Sequence, residues 1–182
     1  PVERPRGRRA GRPPPRTRNC DGAMTTIYLD IETTSLEPDE GELSVLGLYV
    51  DEEGLFVQLF GEELNPDNLL RHFARRPTLY TFNGGRFDLP YIRAKLGVDL
   101  VPLSRHVDLM HACHARNLYG GMKKVERLLG IPRKLTEVNG LVAIELWRRY
   151  RDGGCRRSLD TLLEYNREDV MNLRALRSAL GA

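Results

Sequence analysis

Hydrophobic and polar residues along the chain follow two different periods, which predict strands and helices. Apolar runs and period-two alternation predict five strands, at residues 26–31, 43–51, 54–60, 78–82 and 106–110. Apolar positions three or four residues apart predict five helices, at about 66–75, 88–96, 123–130, 139–151 and 158–179. Strands come first, helices alternate with later strands, and helices end the chain. This order is typical of an α/β fold with a mixed sheet.

Turn and capping residues mark several boundaries of these elements. Asn65 before a proline predicts the start of the first helix. Asn83-Gly84-Gly85 predicts a turn after the fourth strand, and Gly97 is expected to end the second helix. Ser158 is predicted to cap the N-terminus of the last helix.

The charge is distributed unevenly along the chain. The 182 residues carry 28 basic and 25 acidic side chains, but residues 1–23 hold seven Arg against Glu3 and Asp21, a net charge of +5. This arm is rich in Pro, Gly and Arg and lacks hydrophobic periodicity, so it is predicted to be disordered. It is either a nucleic-acid-binding tail or translated upstream sequence before Met24, and its composition favours the second interpretation. The folded domain is predicted to span residues 24–182.

Several protein classes are excluded by composition. No apolar run approaches the ~18 residues that span a bilayer, and no apolar segment follows the basic N-terminus as in a secretory signal. The three cysteines are odd in number and not in CxxC pairs, which argues against a disulfide framework and favours a cytoplasmic protein. A zinc site is disfavoured because the candidate ligands follow no usual spacing: His106, His111, Cys113 and His114.

Three segments carry acidic residues in positions that suggest chemistry. Asp30 and Glu32 lie two residues apart on a predicted strand, so both point to one face and repel each other unless a cation lies between them. Asp88 follows the glycine turn at the start of a helix, where it is either a cap or a ligand. Tyr165 and Asp169 are one turn apart on the last helix, near its apolar side.

The conjunction of these motifs resembles the DEDD exonuclease superfamily. The Tyr-x-x-x-Asp element is typical of its DEDDy branch, and the sequence is most similar to bacterial and archaeal YprB-like exonuclease domains. The resemblance runs from about Thr25 to Leu180, through YLDIETT, FNGGRFDLPYI, GGMKKVERLLGI and YNREDVMNL. It implies a ribonuclease-H-like fold, with a five-stranded mixed sheet whose second strand is antiparallel, flanked by helices.

The same resemblance implies a metal-dependent 3′→5′ exonuclease that releases 5′-mononucleotides. Two Mg²⁺ or Mn²⁺ ions, ~3.5–4 Å apart in such sites, would be held by Asp30, Glu32, Asp88 and Asp169. Tyr165 would orient the attacking water, since its usual pKa of ~10 makes it a poor base near neutral pH.

The expected partner is a 3′ end of single-stranded DNA or RNA. Thr33 and Thr34 are expected to contact the terminal nucleotide, and Asn83 and Arg86 its phosphates. Lys123 lies near a helix N-terminus, where its charge opposes the helix dipole. It is either a further phosphate ligand or part of a solvated helix face, and the second interpretation is favoured. No motif reports a contact to the 2′-OH, so both sugars remain open.

Two other functions compete with this hypothesis. One is a catalytically silent nucleic-acid-binding or interaction module, which has no physical need for four clustered acids. The other is an endonuclease on the same fold. The Tyr-x-x-x-Asp element favours the exonuclease, because ribonuclease H itself lacks it.

Overall fold

A five-stranded mixed sheet forms the centre of the computed structural model, which describes residues 25–182. The strands are β1 (Thr26–Thr33), β2 (Leu43–Val50), β3 (Leu55–Phe60), β4 (Thr78–Thr81) and β5 (Arg105–Asp108). Their order in the sheet is β3-β2-β1-β4-β5. β2 runs antiparallel to β1 and β3, whereas β1, β4 and β5 are parallel. The predicted five-stranded mixed sheet with an antiparallel second strand is therefore confirmed. The predicted arm, residues 1–23, lies outside the described residues.

Six α-helices within residues 25–182 flank the sheet. They are α1 (Pro66–Leu70), α2 (Asp88–Leu96), α3 (Leu109–His114), α4 (Met122–Leu129), α5 (Gly140–Gly153) and α6 (Arg156–Leu180). The boundaries of α2 match the prediction, and Gly97 ends it with a φ of 68° that glycine adopts without strain. No helix among residues 25–182 is both long and apolar enough to cross a membrane.

Three local predictions were wrong. α1 ends at Leu70 rather than residue 75, and the chain then turns through Arg76, whose φ is 48°. β5 ends at Asp108 because that side chain accepts a hydrogen bond from Met110 N and starts α3, which the sequence analysis missed. Ser158 does not cap α6, since the helix begins at Arg156 and Ser158 is buried in its first turn.

The alternation of residues along β1 divides the core into two layers. Ile27, Leu29 and Ile31 pack against α1 and α2 on one face of the sheet. Tyr28 points to the opposite face, where it packs with α3, α4 and α6. Side chains alternate along a strand, so Asp30 and Glu32 share the face of Tyr28. The two acids therefore lie beneath the C-terminal helices.

Candidate metal centre

Three carboxylates converge where β1 passes beneath α6. Asp30, Glu32 and Asp169 each place a carboxylate oxygen within 4.8 Å of the other two. Glu32 and Asp169 are buried, and Asp30 is partly buried. Closely spaced carboxylates repel each other, and hard divalent cations prefer oxygen ligands of this kind. The cluster therefore has the chemistry of a site for a hard divalent cation.

The surroundings of the Glu32 side chain show whether a cation would fit this cluster. Its Oε1 atom is buried and has no hydrogen-bond partner among the described residues. A buried carboxylate oxygen without a donor is energetically costly, because it has lost water and gained nothing in return. A cation held between the carboxylates would supply the missing partner.

Electrostatics within the cluster disfavour the ionised, metal-free state. Burial raises the pKa of Asp30 and of Glu32 well above its usual range, and the charge of Asp169 raises both pKa values further. The pKa of Asp169 is also raised, because the effect of burial exceeds the opposing effect of the Arg133 guanidinium. The group therefore holds protons more tightly than exposed acids do and would release them to bind a cation.

Asp88 lies at the same end of the sheet, at the first position of α2. It is buried, and burial raises its pKa to about 7, with contributions from the charges of Asp108 and Asp169. It is not one of the three residues whose oxygens lie within 4.8 Å of one another. Its charge nevertheless raises the pKa of both Asp30 and Glu32. The structure therefore brings all four predicted acids into one electrostatic group.

Asp108 holds the turn that precedes Asp88. Its carboxylate accepts hydrogen bonds from Asn83 N (2.8 Å), Gly85 N (3.3 Å) and Met110 N (3.0 Å). Asn83 adopts a φ of 62°, in the left-handed region that asparagine tolerates. Three backbone donors on one carboxylate fix this turn, and so the start of α2. Asp108 falls within the strand predicted at residues 106–110.

Asn166 supports Asp30 and was missed in the sequence. Its Nδ2 donates to Asp30 Oδ2 at 3.2 Å and to the Asp30 carbonyl at 3.3 Å. Gln58 Nε2 donates to Asn166 Oδ1 at 3.0 Å, which fixes the orientation of the amide. Asn166 is fully buried, four residues from both Leu162 and Val170 on the core side of α6. That spacing was the available signal for a buried polar residue.

Tyr165 lies beside the carboxylates and is itself nearly buried. Burial raises the pKa of its hydroxyl, and so do the charges of Asp169 and Glu32. Lys123 Nζ lies 4.7 Å from the centre of the Tyr165 ring and donates a hydrogen bond to the Val138 carbonyl. Tyr165 is therefore neutral at physiological pH, and its hydroxyl can both donate and accept a hydrogen bond.

An open cleft of about 440 Å³ leads to this group. Its lining includes Asp30, Tyr165 and Asp169 together with three basic residues of α4: Lys123, Lys124 and Arg127. A cleft lined by both carboxylates and cations offers ligands for a metal ion and charges for a phosphate. Arg127 was not identified from the sequence.

Three other predicted substrate contacts, Thr33, Thr34 and Arg86, are not among the residues that line this cleft. Thr33 Oγ1 donates to the Ser35 carbonyl at 2.8 Å, and Thr34 Oγ1 accepts from Glu42 N at 2.7 Å, so both stabilise the loop after β1. Arg86 is exposed in the turn before Asp88. None of the three lines the cleft, and their contacts with substrate remain predictions.

The histidine and cysteine side chains of β5 and α3 do not gather into a ligand set. Within residues 25–182 the acidic group is the one cluster whose ligand atoms lie close enough to hold an ion. His106 Nε2 lies 2.9 Å from Thr81 Oγ1, and Cys113 is a buried free thiol.

Comparisons with known proteins agree with this architecture. A family model described as RNase_H superfamily matches residues 27–181. Among solved structures, the apo form of a nuclease has 22% identity and a TM-score of 0.61, covering 85% of this chain and 70% of that one. A family B DNA polymerase from the hyperthermophilic archaeon Pyrobaculum calidifontis has 20% identity and a TM-score of 0.66, covering 94% of this chain but only 25% of its own. These likenesses show the fold alone.

A third solved structure is more distant. Brucella melitensis NrnC with bound Mg²⁺ has 18% identity and a TM-score of 0.49, with 87% of this chain and 84% of that chain covered. No curated protein matches the sequence.

Proposed function

This chain belongs to the ribonuclease H superfamily, and on that basis we propose that it is a metal-dependent 3′→5′ exonuclease of the DEDDy type. Its substrate is single-stranded DNA or RNA, which it shortens to 5′-mononucleotides. The observation that carries the proposal is the convergence of Asp30, Glu32 and Asp169 within 4.8 Å of one another, with Tyr165 in the same cleft.

The donor set suits a pair of divalent ions. Asp30, Glu32, Asp88 and Asp169 would hold two Mg²⁺ or Mn²⁺ ions, and the unpartnered Oε1 of Glu32 is explained by such a ligand. When bound, the ions supply positive charge to the scissile phosphate and lower the pKa of a coordinated water.

Tyr165 would orient the water that attacks phosphorus. Its raised pKa keeps the proton on the phenolic oxygen, so the side chain positions the water and does not deprotonate it. A bond forms between the water oxygen and the phosphorus of the terminal nucleotide, and the bond from phosphorus to the preceding 3′ oxygen breaks. The attacking water loses one proton to solvent, and the leaving 3′ oxygen gains one from solvent. The products are a 5′-mononucleotide and a chain shortened by one residue with a new 3′-hydroxyl.

The three basic residues of α4 that line the cleft, Lys123, Lys124 and Arg127, form a basic wall that would hold the phosphate backbone of the substrate. Lys124 and Arg127 are exposed at the cleft and make no hydrogen bond or ion pair with the described residues. Lys123 is less available, since its ammonium group is occupied by the Val138 carbonyl. Free cations at the cleft attract phosphates without regard to sequence, as an exonuclease requires.

A cleavage assay with the full chain tests the proposal. The substrates are 5′-labelled single-stranded DNA and RNA, incubated with Mn²⁺, with Mg²⁺ or with EDTA. Asp169→Asn removes a carboxylate of the group, and Asp160→Asn is its matched control because Asp160 forms only an exposed ion pair on the same helix.

We expect a metal-dependent ladder that shortens from the 3′ end, retained in Asp160→Asn and lost in Asp169→Asn. Comparison of the two substrates would give the sugar preference. No cleavage with either metal, or equal cleavage by Asp169→Asn, would refute the catalytic assignment and favour a binding module. Internal cleavage would indicate an endonuclease.

A further inference from the structure

A buried ion pair lies directly behind the carboxylate group. Glu126 on α4 is only 1% exposed. Arg133 lies in the loop after α4 and donates two hydrogen bonds to the Glu126 carboxylate. Arg133 Nε donates to Glu126 Oε2 at 2.8 Å, and Nη2 donates to Oε1 at 2.7 Å. Asn172 Nδ2 also donates to Oε1, at 3.1 Å. This two-point geometry is available to arginine and not to lysine.

The same guanidinium reaches into the candidate metal centre. Arg133 Nη2 also donates to Asp169 Oδ1, so one nitrogen joins the carboxylates of Glu126 and Asp169. Asp169 Oδ2 accepts no hydrogen bond from any described residue, which leaves it available to a cation. Arg133 thus restrains Asp169 through one oxygen while the other stays free.

The loop that carries Arg133 is fixed to α6 at a second point. Glu168 Oε1 accepts a hydrogen bond from Lys134 N at 2.5 Å, and Oε2 accepts from Leu135 N at 3.0 Å. Glu168 Oε2 also lies 3.8 Å from Arg133 Nη1. Glu168 therefore holds the backbone of this loop, and Asp169, the next residue of α6, accepts a hydrogen bond from the Arg133 side chain. Together these contacts fix the position of Arg133 relative to Asp169.

From these contacts we propose that Arg133, oriented by Glu126, is a positioning residue for Asp169 as a metal ligand. The inference rests on the proposed function. Groups that orient a metal ligand from behind change metal affinity or activity by about 10- to 100-fold when they are substituted. Arg133 is better suited to this role than to phosphate binding, because its side chain is 6% exposed and its Nε and Nη2 already donate to Glu126 and Asp169.

Two conservative substitutions test this role in the full chain. Glu126→Gln removes the charge that orients the guanidinium but keeps the side-chain shape. Arg133→Lys keeps the positive charge but loses the two-point contact. The matched control is Asp51→Asn, which breaks the exposed pair of Asp51 with Arg174 on α6 (2.7 Å), at the other end of β1. Circular dichroism checks that each variant is folded.

The readouts are the Mn²⁺ dissociation constant, measured by isothermal titration calorimetry, and kcat and KM for a 5′-labelled oligonucleotide at several Mn²⁺ concentrations. Glu126→Gln is expected to weaken Mn²⁺ binding by about tenfold. Its cleavage rate should recover when Mn²⁺ is raised, with KM at saturating metal unchanged. Arg133→Lys should behave in the same way, and Asp51→Asn should match the wild type.

Different outcomes separate this inference from the proposed function. If the wild type cleaves and Glu126→Gln binds Mn²⁺ as tightly or more tightly, the positioning role is wrong. A raised KM at saturating Mn²⁺ with unchanged metal affinity would also overturn the positioning role, because Arg133 would then be a substrate contact. If the wild type binds Mn²⁺ without cleaving and the variants bind it more weakly, the positioning role stands and the exonuclease assignment fails. Should Arg133→Lys not fold, Glu126→Gln decides the question alone.

Discussion

Gly47 on β2 makes room for the side chain of Asn166 on α6. A Cβ atom at position 47 would lie 2.1 Å from Asn166 Oδ1, closer than any non-bonded contact allows. Gly47 pairs with Asp30 across the sheet, and Asn166 donates a hydrogen bond to the Asp30 carboxylate. Because Gly47 carries no side chain, the amide of Asn166 on α6 can reach the Asp30 carboxylate on the neighbouring strand β1.

The substitution Gly47→Ala tests this arrangement. The new methyl group must displace Asn166, which is fully buried and held by Gln58, so unfolding free energy should fall by about 1–3 kcal/mol. Cleavage should fall with it, because Asp30 loses its donor. Chemical denaturation and the ladder assay measure the two effects. Gly153→Ala is the control, since nothing lies within 4 Å of a Cβ there. Equal stability of both variants would contradict the steric argument.

Removal of the Tyr165 hydroxyl separates water positioning from substrate binding. Tyr165→Phe keeps the ring beneath Lys123 but loses the group that would hold the water. We expect kcat to fall by about ten- to a hundredfold with little change in KM, since misplacement of a reactant costs rate in this range. Single-turnover kinetics at saturating Mn²⁺ would measure it. Tyr119→Phe serves as control because Tyr119 is 55% exposed. An unchanged kcat would remove Tyr165 from the mechanism.

The stability of the metal-free protein should decrease as pH rises. The folded pKa of Asp88 is about 7, against 3.8 for the free group, so the folded state binds the extra proton between these values. Stability present at low pH is therefore lost as pH rises through the folded pKa, by on the order of 4 kcal/mol for Asp88. The pKa values of Asp30 and Glu32 are raised as well, so both carboxyl groups add to the decrease.

Thermal unfolding in EDTA from pH 4 to 8.5, which covers the interval between the two pKa values of Asp88, would measure this decrease. The double variant Asp30→Asn/Glu32→Gln, which retains every histidine, should show a flatter profile. Mn²⁺ should raise the wild-type Tm more at pH 8.5 than at pH 6, because it binds the deprotonated carboxylates. A wild-type Tm that rises with pH in EDTA would contradict the prediction.

The basic wall of α4 should control how cleavage depends on salt. Lys124→Ala/Arg127→Ala removes two exposed cations from the cleft. We expect KM for the oligonucleotide to rise about tenfold with kcat unchanged. The slope of log KM against log salt concentration should become shallower by about 1.4, that is 0.7 for each lost phosphate contact to a single strand.

Lys95→Ala/Arg105→Ala is the matched control, since both residues are exposed and neither lines the cleft. If the two double variants gave the same KM and the same salt slope, the backbone would not follow α4. A loss of kcat in Lys124→Ala/Arg127→Ala would assign these residues to the reaction step.

The order of the five strands and the acids on β1 were predicted from local sequence alone, whereas α3 was missed. A period of two placed Asp30 and Glu32 on one face, and a period of 3.6 placed Tyr165 and Asp169 on one side of α6. Capping was predictable where a single short-range rule applied, as at Gly97, and failed at Ser158, where the helix begins two residues earlier. Such patterns depend on neighbours within one or two turns, which a sequence displays directly.

Tertiary structure decided what surrounds those acids. The hydrogen bond from Asn166 to Asp30 joins residues 136 positions apart, and that from Arg133 to Asp169 joins residues 36 apart. Neither can be derived from hydrophobic period or composition, because both depend on how α6 and the loop after α4 dock on the sheet. The sequence therefore determined which residues could bind a metal, whereas the packing of the helices decided which groups hold those residues in place.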